Sequence, residues 1–332
     1  MTDGARRLEA PHRRGPRSFG RLTERTALAA YRGAGAVLAR LPQGPSAAVA
    51  GRVFQAGYLA WPAKRRWSNL NYGRVLGVSP DDTAVRRLAL DAYRTYGRYS
   101  VEMMRLPSRP LDEGADLVVE DTVEGLKTEW GAKGTGLILT VPHIGNNEAL
   151  AAGLAHHGLP LSGLADDSSF PELLEHLTRQ RQAMGVRTIY WKNIREIFTV
   201  LKRGEILALL VDWGYRPDGI PVRLFGQWTT LPAGPATLAA KTGVPILPAS
   251  TYRLSNGRYR LETGSFITVP SSDPAAIQAA TQQVADAMER AIADAPEQWY
   301  SFKPMWPETA AEAAVLEARA AEMQAGIPGT TA

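Results

Sequence analysis

Three short apolar runs constrain this chain more than any other feature: Gly136-Leu137-Ile138-Leu139-Thr140, Ile206-Leu207-Ala208-Leu209-Leu210-Val211 and Gly243-Val244-Pro245-Ile246-Leu247-Pro248. Each has the length of a core strand, and an apolar run without alternation fits a strand buried on both faces. Further elements fall between and around them. An apolar run at 159–164 and a short strand at 187–191 alternate with helices at 171–184 and 194–201. Strands alternating with helices predict an α/β fold, a mostly parallel central sheet flanked by helices on both faces. Residues 252–266 predict an antiparallel edge hairpin turned at Ser255-Asn256-Gly257, and a helix over 273–294 closes the core.

Chemistry in such folds gathers where strands end. The first run leads into Val141-Pro142-His143-Ile144-Gly145-Asn146-Asn147-Glu148, in which Asn146 or Asn147 starts a helix. His143 therefore sits in the turn. Five residues of continuous helix would place His143 and Glu148 on different faces, so they meet only if the turn curls back. An imidazole oriented by a carboxylate is suited to general base catalysis on a hydroxyl. The second run delivers Asp212 to a loop, 213–219, that no packing pattern requires.

Composition removes whole classes of mechanism. The absence of cysteine excludes disulfides, thiolate nucleophiles and most zinc frameworks. There is no Gly-x-Ser-x-Gly elbow, which weighs against a covalent acyl-serine. No Walker loop and no dinucleotide fingerprint follows a strand. His156 and His157 fall at a helix end and His176 on a helix surface, while Asp166-Asp167 lacks a third ligand at a metal-binding spacing. No metal site is expected.

Charge is concentrated at the amino end. Residues 1–25 carry seven arginines against Asp3, Glu9 and Glu24, which is +4 of the formal +5 of all 332 residues. This arm is expected to be disordered and either solvated or in contact with anionic headgroups. It lacks the aromatic-basic repeats of a nucleic-acid binder, so nucleic acid is not an expected partner. Residues 26–110 predict an amphipathic helical region close to a membrane, including a helix over 81–104. No window there reaches the roughly 18 unbroken apolar residues of a spanning helix. Trp61-Pro62 followed by Lys64-Arg65-Arg66-Trp67 has the composition of an interfacial anchor. The core is expected over 111–306, and 307–332 as a surface helix, or partner contact, with a tail.

Read with Pro296-Glu297-Gln298-Trp299, these segments resemble the bacterial lipid A lauroyl/myristoyl acyltransferases and their relatives, the phosphatidylinositol mannoside acyltransferases, over about residues 60–306. The family signature is a histidine, four residues and an acidic residue, occupied here by His143 and Glu148, although aspartate is usual at the second place. Val222-Arg223-Leu224-Phe225-Gly226 is similar to another family stretch. The resemblance implies a glycerolphosphate acyltransferase-like fold with His143 as base. Glu148 and Asp212 are both candidates to orient it, Asp212 being preferred. It also implies substrate-side roles for Asn146, Asn147, Arg216 and Arg223, with Trp299 on the far wall of the site.

The resemblance further implies transfer of a long acyl chain from a thioester to a hydroxyl of a glycolipid such as a phosphatidylinositol mannoside, or of a lysophospholipid. Acyl-coenzyme A is the expected donor and acyl carrier protein the alternative. Backbone amides near Gly145 or at the following helix start are expected to hold the oxyanion. No cofactor beyond the co-substrate is implied, and the expected location is the cytoplasmic face of the membrane, peripherally attached. An esterase or thioesterase, or a non-catalytic lipid binder, are the competing readings.

Overall fold

The computed structural model describes residues 20–108, 117–165 and 170–326. The arm up to residue 19 and Asp166-Asp167 lie outside the described residues. Four helices come first: α1 (Arg21–Arg40), α2 (Gln43–Ala60), α3 (Pro62–Leu76) and α4 (Thr83–Arg105). Prolines separate the first three, because a residue preceding proline is pushed out of helical geometry. Leu41 is accordingly extended and Trp61 is non-helical. Helix α4 starts at Asp82, whose carboxylate accepts the Ala84 N–H at 2.8 Å. Its buried Val85, Ala89, Ala92, Tyr93 and Gly97 recur at helical spacing.

Helices α2 and α4 cross so closely that only glycine fits at the contact. A Cβ on Gly97 would lie 2.7 Å from the Ala50 carbonyl oxygen, and one on Gly51 would lie 2.9 Å from the Arg94 side chain. Among the described residues no helix is long and apolar enough to cross a membrane.

The α/β core follows as α5 (Glu120–Lys133), β1 (Leu137–Val141), α6 (Asn147–His156), β2 (Leu161–Ala165), α7 (Pro171–Ala183), β3 (Arg187–Tyr190), α8 (Ile194–Lys202), β4 (Ile206–Leu210), β5 (Ile220–Leu224), β6 (Gln227–Leu231), α9 (Gly234–Thr242), β7 (Ile246–Arg253), β8 (Tyr259–Thr263), α10 (Pro274–Asp294) and α11 (Ala310–Gln324). The main sheet has the order β3-β2-β4-β1-β7-β8. Its first five strands are parallel, and β8 is antiparallel to β7. This is the mostly parallel, helix-flanked sheet that the alternation of runs predicts.

Burial on both faces explains why β1 is apolar at every position but Thr140. Ile138 packs with Leu207, Ile246, Val200 of α8 and Val284 and Met288 of α10 on one face. Leu137, Leu139 and Val141 pack with Leu126 of α5 and Leu150 and Leu154 of α6 on the other. Each such side chain contributes about 1.5–3 kcal/mol by leaving water.

One expectation needs correction. The runs at 243–248 and 252–266 are not separate elements, since Ile246–Arg253 is one strand that serves both the parallel sheet and the hairpin. Residues 220–231 form their own hairpin, β5–β6, turned at Phe225 and Gly226. Both turn residues have positive φ, 48° and 70°, as a two-residue turn matched to strand twist requires. The helix expected beyond residue 307 is α11, and it docks through one side. It buries Leu316 and Ala320, and Arg319 donates to the carbonyls of Pro217 at 2.5 Å and Gly219 at 2.9 Å.

The α2–α4 crossing yields a stability test. Gly97→Val is expected to force the helices apart and cost about 1–3 kcal/mol, read as a lowered thermal midpoint. An unchanged midpoint would show that the crossing is looser than described.

Candidate active site

Strands β1 and β4 are neighbours in parallel register, with Val141 opposite Leu210. Residues two places beyond each strand must therefore emerge side by side, and these are His143 and Asp212. The His143 Nδ1 lies 2.6 Å from Asp212 Oδ1. The His143 backbone N–H also meets the carboxylate, at 3.0 Å from Oδ1 and 2.9 Å from Oδ2. Trp299 Nε1–H donates to Oδ2 at 2.8 Å.

The Asp212 side chain is fully buried, while that of His143 keeps 20% exposure. Burial is the largest single influence on Asp212 and pushes its pKa up. The facing charge of His143, the two His143 N–H donors and Trp299 together outweigh it and hold the carboxyl below its usual value. A carboxylate at Nδ1 fixes the proton there in the neutral ring, which leaves the lone pair on Nε2. Trp213 and Tyr300 flank the imidazole with ring centroids at 5.8 and 5.5 Å. Burial pushes the Tyr300 hydroxyl far above its ordinary pKa, so it remains neutral.

The turn that carries His143 is built from its own sequence. Gly145 adopts φ +64°, and a Cβ there would collide with the Thr251 carbonyl. Asn146 caps α6 by accepting the Ala149 N–H at 3.1 Å. Asn147 donates to the Pro142 carbonyl at 3.0 Å and accepts from Thr251 Oγ1 at 2.6 Å. Both side chains expected on the substrate side are thus engaged in shaping the turn. Gly145 N–H is also occupied, by the Gln298 carbonyl at 3.1 Å, so it is not an oxyanion donor.

Glu148 does not reach His143. It sits in the first turn of α6 and faces α7, where Arg181 Nε donates to Oε2 at 2.9 Å and Oε1 at 3.1 Å, with a further contact from Nη2. Of the two candidate carboxylates, the structure brings Asp212 to the histidine and gives Glu148 to an arginine.

The remaining expected residues also have defined places. Arg216 pairs with Asp218 at 3.2 Å. Arg223 lies over the Trp228 ring at 5.1 Å and reaches Glu317 at 3.4 Å. Both side chains are exposed beside the β5–β6 hairpin. Trp299, expected on the far wall, is wholly buried and turns its indole N–H to Asp212. His176 packs edge-on against Tyr31 of α1 at 5.9 Å.

The segment around Trp299 brackets the histidine turn. Tyr300 N–H donates to the His143 carbonyl at 3.0 Å, and Ile144 pairs with Trp299 as an isolated antiparallel bridge. Gln298 in turn grips Arg253 of β7, accepting its N–H at 2.8 Å and donating to its carbonyl at 3.2 Å. A cavity of about 170 Å³ lies between α10 and β7 and reaches Pro142 and Val211, the residues just before the pair. Trp213 and Tyr300 were missed by sequence reasoning. Their only signal is adjacency to Asp212 and Trp299.

With this geometry in view, comparison with known proteins is direct. Phosphatidylinositol mannoside acyltransferase of Mycolicibacterium smegmatis is 28% identical over 279 residues, 80% of this chain and 88% of that protein. The protein of the same name from Mycobacterium tuberculosis (strain H37Rv) is 29% identical over 244 residues, 71% of this chain and 75% of that protein. The family model for bacterial lipid A biosynthesis acyltransferases matches residues 30–308, reaching further towards the amino end than the motifs alone suggest. The chain belongs to the bacterial lipid A biosynthesis acyltransferase family and is an acyltransferase.

Proposed function

We propose that the protein transfers a long fatty acyl group from acyl-coenzyme A to a hydroxyl of a membrane glycolipid of the phosphatidylinositol mannoside kind. The observation that carries this reading is the His143–Asp212 pair at the carboxyl ends of two parallel strands, in which the His143 side chain keeps 20% exposure. The acceptor class is supported by the name of the mycobacterial relatives, phosphatidylinositol mannoside acyltransferase.

In the proposed reaction, His143 Nε2 takes the proton of the acceptor hydroxyl as its oxygen attacks the thioester carbonyl carbon. Asp212 stabilises the imidazolium that forms. Amides in the first turn of α6 face the developing oxyanion, where the helix dipole also favours negative charge. Collapse breaks the carbon–sulfur bond, and the imidazolium returns its proton to the departing thiolate. The products are the ester and free coenzyme A, and the reaction as written draws on no cofactor.

Acyl donors of this kind are cytoplasmic and the acceptor is a lipid, so we infer peripheral attachment to the cytoplasmic leaflet. The outer side of α2 and the residue just past its end support this, since Val49, Val53 and Trp61 are 64%, 62% and 62% exposed. Arg52, Lys64, Arg65 and Arg66 lie beside that stripe in sequence. An apolar stripe with basic residues suits an anionic headgroup layer, each basic residue contributing about 1 kcal/mol.

Purified protein, labelled palmitoyl-coenzyme A and a membrane glycolipid extract should yield a labelled lipid with wild type and none with His143→Ala. Free palmitate alone would indicate hydrolysis, and labelling only from acyl carrier protein would replace the donor. Replacing Lys64 and Arg66 by glutamine should weaken sedimentation with anionic vesicles on the order of 10-fold or more, and unchanged binding would remove this face from the account.

A third expectation follows from the depressed Asp212 pKa. Because that carboxylate is more acidic folded than unfolded, its stabilisation is present above the unfolded value near 4 and fades as pH falls through the lower folded value. The gap in thermal midpoint between wild type and Asp212→Asn should therefore narrow between pH 6 and 3. A gap that is constant with pH would contradict the assignment.

A further inference from the structure

The histidine turn and Asp212 are both held by a segment, 299–309, that contains no helix or strand of its own. Something else must fix it. Helix α3 supplies two wholly buried side chains that do so, Asn71 and Tyr72. Tyr72 O–H donates to the Trp299 carbonyl at 2.6 Å, and its ring meets the indole edge-on at 5.8 Å and 90°. Burial pushes the Tyr72 hydroxyl well above its ordinary pKa, so it stays a neutral donor.

Asn71 Nδ2 donates to the carbonyls of Ser301 at 3.0 Å and Lys303 at 2.7 Å, and its Oδ1 accepts the Met305 N–H at 3.1 Å. One amide side chain thus satisfies three backbone groups of the segment, those of buried Ser301 and Met305 among them. Neither residue touches a reacting atom. Their effect on chemistry runs through Trp299, whose indole N–H holds the outer oxygen of Asp212.

We propose that Tyr72, assisted by Asn71, is a positioning residue for the His143–Asp212 pair, acting through Trp299 from the amino-terminal helical layer. The proposal rests on the reading of that pair as the catalytic base. Tyr72→Phe keeps the ring that packs on the indole and removes only the hydroxyl.

The expected result is a fall in kcat on the order of 10-fold, with KM for donor and acceptor unchanged. In a Trp299→Phe background, the same substitution should cost no further kcat, because the route through the indole is already gone. A second readout does not depend on turnover. The Trp299 indole N–H proton resonance, identified by its loss in Trp299→Phe, should move upfield in Tyr72→Phe as its bond to Asp212 lengthens. An unmoved resonance overturns the proposal whatever the activity, as does an equal loss of kcat in both backgrounds. A shifted resonance in a protein without transferase activity would support the positioning role while removing the proposed function.

Discussion

The whole site depends on one buried carboxylate. Asp212 is taken fully out of water, a placement costing several kcal/mol unless the charge is matched by donors. Three N–H groups match it: the His143 ring, the His143 backbone and the Trp299 indole. They rest on two separate constraints. The ring and backbone donors require the β1–β4 register and the tight turn at Gly145, and the indole requires the 299–305 segment pinned by α3. Loss of any one leaves part of a buried charge unmatched, so the geometry is cooperative by necessity.

The arrangement also separates the two acidic residues that sequence alone offers as partners for His143. A carboxylate on a helix one turn from the histidine is carried away by the helical rise, and Glu148 finds Arg181 on α7 instead. That ion pair ties α6 to α7, and Tyr31 of α1 lies close enough for Glu148 to raise its pKa, after burial itself. The signature's two residues thus lie in different places: His143 against Asp212 at the strand ends and Glu148 against Arg181 between the neighbouring helices. The imidazole, its Nδ1 engaged by Asp212, lies beside Trp213 and Tyr300 and keeps 20% exposure.

Local pattern carried the strands and the position of His143, because a buried parallel strand and a glycine turn leave marks within a few residues. A capped helix start at the Asn146-Asn147 pair, a helix close to 81–104 and the parallel sheet are of this kind. What local pattern did not carry was contact between distant segments. The role of Trp299 depends on a hydrogen bond across 87 positions, and that of Tyr72 on one across 227. Nothing within α3 marks Asn71 or Tyr72 as different from other buried helix residues. The merging of two runs into β7 and the docking of α11 on the loop after Asp212 are likewise settled by tertiary packing.

The central claim is that Asp212, and not the signature's Glu148, supports the base. The most direct measurement is kcat for acyl transfer by Asp212→Asn beside Glu148→Gln, each checked for folding. The account predicts a loss on the order of 10³-fold for Asp212→Asn and a loss below about 10-fold for Glu148→Gln. The reverse order would contradict it.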